Sequence, residues 1–452
     1  TLRENLTGKV EMARNRYNSV ILADANSFFA SCERVFDPSL NGKPIVVLSN
    51  NAGCVVARRS AARALGIGMC APWFAIKEDA ARKGVIARRS NYELYASLSH
   101  RMMSVMSSFF PGQEVYSIDE CLLTNACTDD AASISTCIRM RKAILQDIGI
   151  PVSIGMAPTK TLAKIVNHWA KSHPATHGVL SWSQVSPDIL QRTPVSDVWG
   201  VGRHLSSKLM SHDILTAADL ENSDPETIRH QYSISVERTV LELRGIPCIP
   251  EDNTDDTVEG ARKAQIMYSR MFGQPVRGYS TLCQALSVYA QKAAHRLKRQ
   301  GSLCGAVSIF CATGHRRHSR STSSHAWNTC ILDSPTDNPI TISQAACETA
   351  RTVVDPDACY ARAGITLHKL VSKSSYNPFD TDTPLKGMEK LGNTLDLITG
   401  QFGPMSAGIG YGGIRGTGRY SSDTGSPWVM KRAMLSKRCT TRWSEMAVVR
   451  AD

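Results

Sequence analysis

The apolar positions of this chain change period repeatedly, with short unbroken runs giving way to stripes spaced three and four apart. SVILA at 19–23 is an apolar strand with Asp24 at its C-terminal end. Phe28, Cys32, Val35 and Phe36 then recur at helical spacing, and Asn26 is placed to cap that helix. NGKPIVVLSN predicts a Gly-Lys-Pro turn and a second strand; GCVVARRSAARALGIGM predicts strand into helix, ending at Gly66. Residues 91–110 carry a helical pattern, EVYSIDECLL at 114–123 is strand-like, and PVSIGMAPTKTLAKIVNHWAKS reads as strand, turn, helix.

Near residue 190 the texture shifts to short helical segments around a Gly-Val-Gly turn. CIPEDNTDDTVEG at 248–260 is acidic and turn-rich, which suits a linker. A second α/β unit follows. Leu282, Leu286, Tyr289, Ala293 and Leu297 form one helical stripe, 304–314 and 360–370 read as strands, and ISQAACETARTVV between them as a helix. Beyond Val371 the chain is weakly patterned and glycine-rich, notably GIGYGGIRGTG, and it closes on the basic MKRAMLSKRCTTRWSEM.

The run EVYSIDECLL poses a problem. On a regular strand Asp119 and Glu120 point to opposite faces, so one carboxylate enters an apolar layer, and an unpaired buried charge is very costly. Two readings answer it: an exposed hairpin turn, or a cation site at a strand end where irregular backbone lets both acids converge. Asp24, at the end of a strand of similar character, supplies a third acid. Oxygen ligands from two strand ends suit Mg²⁺, which takes one or two carboxylates together with substrate phosphates and water.

Net charge of +12 and a pI near 9.1 favour a polyanionic partner. No apolar run approaches the ~18 residues of a membrane span. The 14 cysteines contain no C-x-x-C pair, and their scatter suits reduced thiols rather than a disulfide scaffold or zinc finger. Cys311, His315 and His318 lack a fourth zinc ligand and read better as part of a basic loop, GHRRHSRS. GMAPTKT resembles a P-loop but is one residue short and lacks the glycine before Lys160, which argues against an ATPase.

ADANSFFASCE, NGKPIVVLSN, SNYELYA, YSIDE, PTKTLAK and DVWGVGR, in this order, closely resemble the Y-family translesion DNA polymerases. ERTVLELRGIPC and MKRAMLSKRCTTRWS narrow the resemblance to the UmuC-type catalytic subunit of bacterial DNA polymerase V and its plasmid-borne relatives. It covers the chain from about residue 19 onward.

The resemblance implies an α+β, multidomain right-hand polymerase. Residues 1–18 form an unassigned extension, 19–36 and 93–190 the palm, 37–92 the fingers and 191–250 a helical thumb. A linker spans 251–261, an α/β little finger 262–372, and a tail for partner contacts 373–452. Asp24, Asp119 and Glu120 fall on the family's metal-binding acids, and the Ala25 carbonyl on its backbone ligand. They imply two Mg²⁺ ions, with Mn²⁺ as a substitute. Phe29 occupies the steric-gate position, where an aromatic ring excludes a 2′-hydroxyl; the amides of Phe28 and Phe29 are placed to cradle phosphate. Arg63 and Lys160 match the cations that hold the incoming triphosphate. Gly200 and Gly202 resemble the thumb hairpin that grips DNA phosphate, and small residues at Val56 and Ala57 leave room over the nascent pair. The clamp-binding pentapeptide is degenerate: SSYNPFD offers Tyr376 and Phe379 but lacks the usual glutamine.

The function implied is error-prone, template-dependent extension of a primer past damaged bases, in the bacterial cytoplasm and its nucleoid. Its partners are primer-template DNA, deoxynucleoside triphosphates, a processed UmuD-like dimer, a RecA filament and the sliding clamp, with no membrane. The rival reading is a catalytically silent DNA-binding scaffold at stalled forks.

Overall fold

The computed structural model describes residues 19–125, 127, 129–250, 262–313, 325–376, 386–402, 407–408 and 434–446. The extension 1–18, the linker 251–261, the basic loop with His315 and His318, and Phe379 lie outside them.

The chain separates into two compact units, one drawn from Thr1–Val47, Cys54–Thr254 and Ser436–Asp452, the other from Leu48–Gly53 and Asp255–Leu435. The first opens with β1 (Ser19–Ala25), α1 (Phe28–Val35), β2 (Ile45–Leu48), β3 (Val55–Arg58) and α2 (Ser60–Ala64). It continues through α3 (Trp73–Arg82), β4 (Ile86–Arg89), α4 (Tyr92–Ser107), β5 (Gly112–Val115) and β6 (Glu120–Asn125). Next come α5 (Asp130–Ile148), β7 (Val152–Ala157), α6 (Lys160–Ser172) and β8 (Val179–Ser181). Five short helices close it: α7 (Ile189–Arg192), α8 (Arg203–Met210), α9 (Ala217–Asn222), α10 (Pro225–Gln231) and α11 (Ile234–Leu243).

The main sheet has the order β5-β6-β1-β7-β8, and β3-β2-β4 form a smaller one. β1 is central, and both its faces are covered. Ile21, Ala23 and Ala25 join a core with Phe28 of α1, Tyr95 and Met102 of α4 and Met140 of α5. Leu22 points the other way, into a core with Leu162 and Ile165 of α6 and with Leu209, Leu220 and Val240 of the short helices. Burial on both faces explains the unbroken apolar run of β1, and the same holds for β7, whose six residues are all buried. Alternation then fixes Asp24 on the α6 side of the sheet, with Leu22.

α6 lies very close to β7. A Cβ at Gly155 would stand 2.4 Å from the Asn167 amide nitrogen and 2.5 Å from the Ala163 carbonyl oxygen. Asn167 fixes that approach, donating to the carbonyls of Leu22 (3.2 Å) and Ser153 (2.7 Å).

The second unit contains β9 (Ile266–Val276), α12 (Tyr279–Arg299), β10 (Ser302–Thr313), β11 (His325–Thr336), α13 (Pro339–Val353), β12 (Tyr360–Ser372) and α14 (Lys386–Phe402). Its antiparallel sheet runs β11-β10-β12-β9. The stripe Leu282, Leu286, Tyr289, Ala293 and Leu297 is wholly buried, in one core with Ile342 and Ala346 of α13. Cys311 belongs to that core, where burial pushes its thiol up to about 12.

Gly155→Ala should force α6 off the sheet and destabilise the chain by about 3 kcal/mol in urea unfolding. A midpoint equal to the parent's would contradict the close approach.

Candidate active site

The acids of EVYSIDECLL sit on a hairpin. β5 ends at Val115, β6 begins at Glu120, and Ser117 to Asp119 bend between them. Ser117 builds the turn: its Oγ accepts from the amides of Asp119 (3.2 Å) and Glu120 (3.1 Å) and donates to Asp119 Oδ1 (2.6 Å). The Ala25 amide donates to the Asp119 carbonyl (2.9 Å), so the turn is stitched to the end of β1. Across the ladder Asp24 faces Glu120 directly. The two expectations merge: the acids lie at a turn, and the turn carries them to Asp24.

α6 answers them with lysines. Lys160, Lys164 and Lys171 are spaced i, i+4 and i+11, within about 40° of one line on a helix. Lys171 Nζ lies 2.5 Å from Asp24 Oδ2, and Lys164 Nζ lies 2.9 Å from Glu120 Oε2. Lys160 Nζ pairs with Glu114 Oε2 at 2.7 Å and also donates to the Pro250 carbonyl (2.9 Å). Lys164 is further enclosed by the rings of Tyr116 (4.6 Å) and Trp199 (5.0 Å), and the Trp199 indole N–H donates to the Tyr116 hydroxyl (3.2 Å).

A cavity of about 460 Å³ opens beside Asp24. It is lined by Asp24, Ala25, Asp119 and Lys171, by Ser27, Phe28 and Phe29, and by Val56, Ala57, Arg58, Arg59, Ser60, Arg63 and Met69. Phe29 stacks on Tyr95, with ring centres 4.7 Å apart and planes 14° from parallel, and Tyr92 meets it edge-on at 5.8 Å. Asn26 does not cap α1. Its side chain accepts from Ser153 Oγ (3.0 Å), while Ser27 stands at the N-cap in a left-handed conformation (φ 49°) with no side-chain cap bond.

The structure thus brings Asp24, Ala25, Phe28, Phe29, Arg63 and Asp119 to one cavity, with Glu120 adjoining Asp24. Lys160 lies outside it, in its buried pair with Glu114. Gly200 and Gly202 also lie elsewhere, before α8. Gly200 has φ +87°, which favours glycine; Gly202 has ordinary backbone and open space around it. Tyr376 is half-buried just beyond β12. Sequence reasoning passed over Lys164, Lys171 and Arg59.

The electrostatics fit a cation beside a polyanion. Burial pushes the Asp24 carboxyl up to about 6; Lys171 pulls it down, while Glu120 and Asp119 push it further up. A carboxyl raised by burial and by two neighbouring acids would gain from a divalent cation. Among the described residues no cluster of three or more metal-ligating side chains stands ready to hold an ion, since lysines occupy Asp24 and Glu120. Arg59 also lines the cavity, and its Nη1 is buried without a hydrogen-bond partner, a donor suited to an anionic ligand. The donors present are carboxylate and carbonyl oxygens, which suit Mg²⁺.

Lys160→Met should remove the Lys160–Glu114 ion pair from a largely buried site, costing about 3 kcal/mol of stability in urea unfolding. Unchanged stability would contradict a structural pair.

The impB/mucB/samB family profile matches residues 23–168, and the profile of that family's C-terminal domain matches residues 263–378. A domain of unknown function matches residues 389–449. Protein UmuC of Salmonella typhimurium is 37% identical to this chain over 95% of its length and 99% of the relative's. Protein MucB of Escherichia coli is 34% identical, covering 94% of this chain and 98% of the relative. Among solved structures, a Y-family DNA polymerase chimera of Dbh and Dpo4 shares the fold with a TM-score of 0.62. It is 20% identical and covers 78% of this chain and 99% of that one. The chain belongs to the impB/mucB/samB family and is a UmuC-type member of the Y-family DNA polymerases.

Proposed function

We propose that this DNA polymerase extends primers opposite damaged template bases by two-metal phosphoryl transfer. The observation that carries the reading is a single cavity lined by Asp24 and Asp119 together with Arg59 and Arg63. The primer 3′-hydroxyl attacks the α-phosphate of a deoxynucleoside triphosphate, and pyrophosphate leaves.

Asp24, Asp119, Glu120 and the Ala25 carbonyl would hold the ions, Glu120 being paired with Lys164 in their absence. Two Mg²⁺ ions, or Mn²⁺ in their place, supply activation of the attacking oxygen and charge stabilisation at the leaving one. Arg59 and Arg63 bind the triphosphate oxygens, and the uncapped start of α1 offers the amides of Phe28 and Phe29. Lys164 and Lys171 balance the acids between turnovers. The Phe29 ring, backed by Tyr95, closes the space a 2′-hydroxyl would take. Val56 and Ala57 are small enough to admit distorted bases, while Gly200 and Gly202 bind DNA phosphate.

This reading extends to error-prone synthesis in an SOS-type response, with a processed UmuD-like dimer, a RecA filament and the sliding clamp as partners. A silent scaffold at stalled forks would have no use for two acids and an arginine with a partnerless buried nitrogen in one cavity.

Primer extension by the purified chain, with and without its accessory dimer, tests the proposal. Asp119→Asn should slow extension on the order of 10²–10³-fold while DNA binding persists. A variant as active as the parent would refute the metal assignment.

A further inference from the structure

Behind the Phe29–Tyr95 stack lies a part of the chain that the catalytic reading leaves unused. Ser436 to Glu445, near the end of the sequence, folds onto the start of α4. Asn91, the N-cap of α4, donates from Nδ2 to the Ser436 carbonyl (3.2 Å), Ser436 Oγ (2.9 Å) and the Lys437 carbonyl (3.3 Å). Ser436 Oγ donates in turn to Glu33 Oε1 (3.1 Å), the same oxygen that accepts from the Tyr95 hydroxyl (2.6 Å).

Arg438 latches the segment. Its guanidinium pairs with Glu445 (2.7 Å) and with Glu93 of α4 (3.3 Å), and its backbone amide donates to Glu445 (2.7 Å). Arg438 holds the Glu445 carboxyl down at about 2. The tail thus grips Asn91 and Glu93 directly and reaches Tyr95 through Glu33. Tyr92, between Asn91 and Glu93, and Tyr95, bonded to Glu33, are the two rings that hold Phe29.

Glu33 makes the arrangement specific. It is 3% exposed on α1, under the aromatic stack, and its second oxygen has no partner. A buried carboxyl is tolerated only where donors meet it, and the tail supplies one of the two donors on Oε1. Without Ser436 the Tyr95 hydroxyl alone would satisfy Glu33, and the ring that backs Phe29 would lose half of its anchor's support.

We propose that the segment Ser436–Glu445 is a positioning brace for Phe29, making Ser436 and Arg438 determinants of sugar selection. The inference rests on the reading of Phe29 as the steric gate.

The test uses the full-length chain on undamaged primer-template with Mg²⁺. It compares kcat/KM for a matched ribonucleotide and deoxynucleotide in the parent, Phe29→Ala, Ser436→Ala, Ser436→Thr, Arg438→Ala and the Phe29→Ala/Ser436→Ala double variant. Phe29→Ala should raise the ribonucleotide share strongly. Ser436→Ala should raise it about fivefold, the equivalent of one net hydrogen bond, with Arg438→Ala in the same direction. Ser436→Thr, which keeps the hydroxyl, should hold the parent's ratio, and the double variant should match Phe29→Ala, because both act through one ring. If Phe29→Ala raises the share while Ser436→Ala and Arg438→Ala leave the parent's ratio, or slow both sugars equally, the brace is refuted and the gate stands. If Phe29→Ala changes nothing, the gate reading falls and the brace with it.

Discussion

Three carboxylates stand in a row on one face of the main sheet, and a single helix neutralises all three. Glu114 of β5, Glu120 of β6 and Asp24 of β1 share that face, because Glu114 is paired in register with Leu122, and Asp24 with Glu120. Lys160, Lys164 and Lys171 of α6 meet them in the same order. The match demands a close helix, which the missing side chain at Gly155 permits and the Asn167 amide enforces. The outcome differs along the row. At Glu114 the pair is buried and also bonded to a carbonyl, so it fastens the helix. At Asp24 the single lysine is opposed by burial and by two neighbouring acids, and the carboxyl stays well above its usual range. Charge balance is complete at one end of the row and incomplete at the other, and the cavity opens at the incomplete end.

From that asymmetry the rest of the site follows. A divalent cation would relieve the crowding of Asp24, Asp119 and Glu120 better than the monovalent Lys164 and Lys171. Arg59, with a buried donor unpartnered, and Arg63 line the same cavity and would suit the phosphates that such ions accompany. Phe29 lines the same cavity, stacked on Tyr95, whose hydroxyl meets Glu33 and through it the returning C-terminal segment. In the proposed reading, chemistry would rest on strand ends and one helix, and selectivity on an aromatic stack fixed from behind.

Much of this was legible in the chain. The apolar runs located β1, β7, β10 and β12, and the stripe from Leu282 to Leu297 located α12 with its core face. Asp24 and the Asp119–Glu120 pair were visible as misfits in apolar strands. Their resolution was not, because a hairpin and a flat strand share the pattern EVYSIDECLL; only the bonds of Ser117 separate them. Lys164 and Lys171 were overlooked because helix cations default to solvent. Their i, i+4, i+11 register with Lys160 was the available signal, and it becomes informative only once the facing acids are known. Lys160 was expected at the triphosphate, yet its partner Glu114 could not be foreseen from a helix alone. The tail contacts span over 340 residues of sequence, beyond the reach of any local pattern.

The most direct test is a crystal structure of the chain with primer-template, a non-hydrolysable deoxynucleotide and Mn²⁺, read by anomalous scattering. Two anomalous peaks should appear within ligand distance of the Asp24 and Asp119 carboxylates, with Lys171 swung off Asp24 and the triphosphate on Arg59 and Arg63. A bound nucleotide with no metal at these acids, and Lys171 still paired to Asp24, would contradict the account.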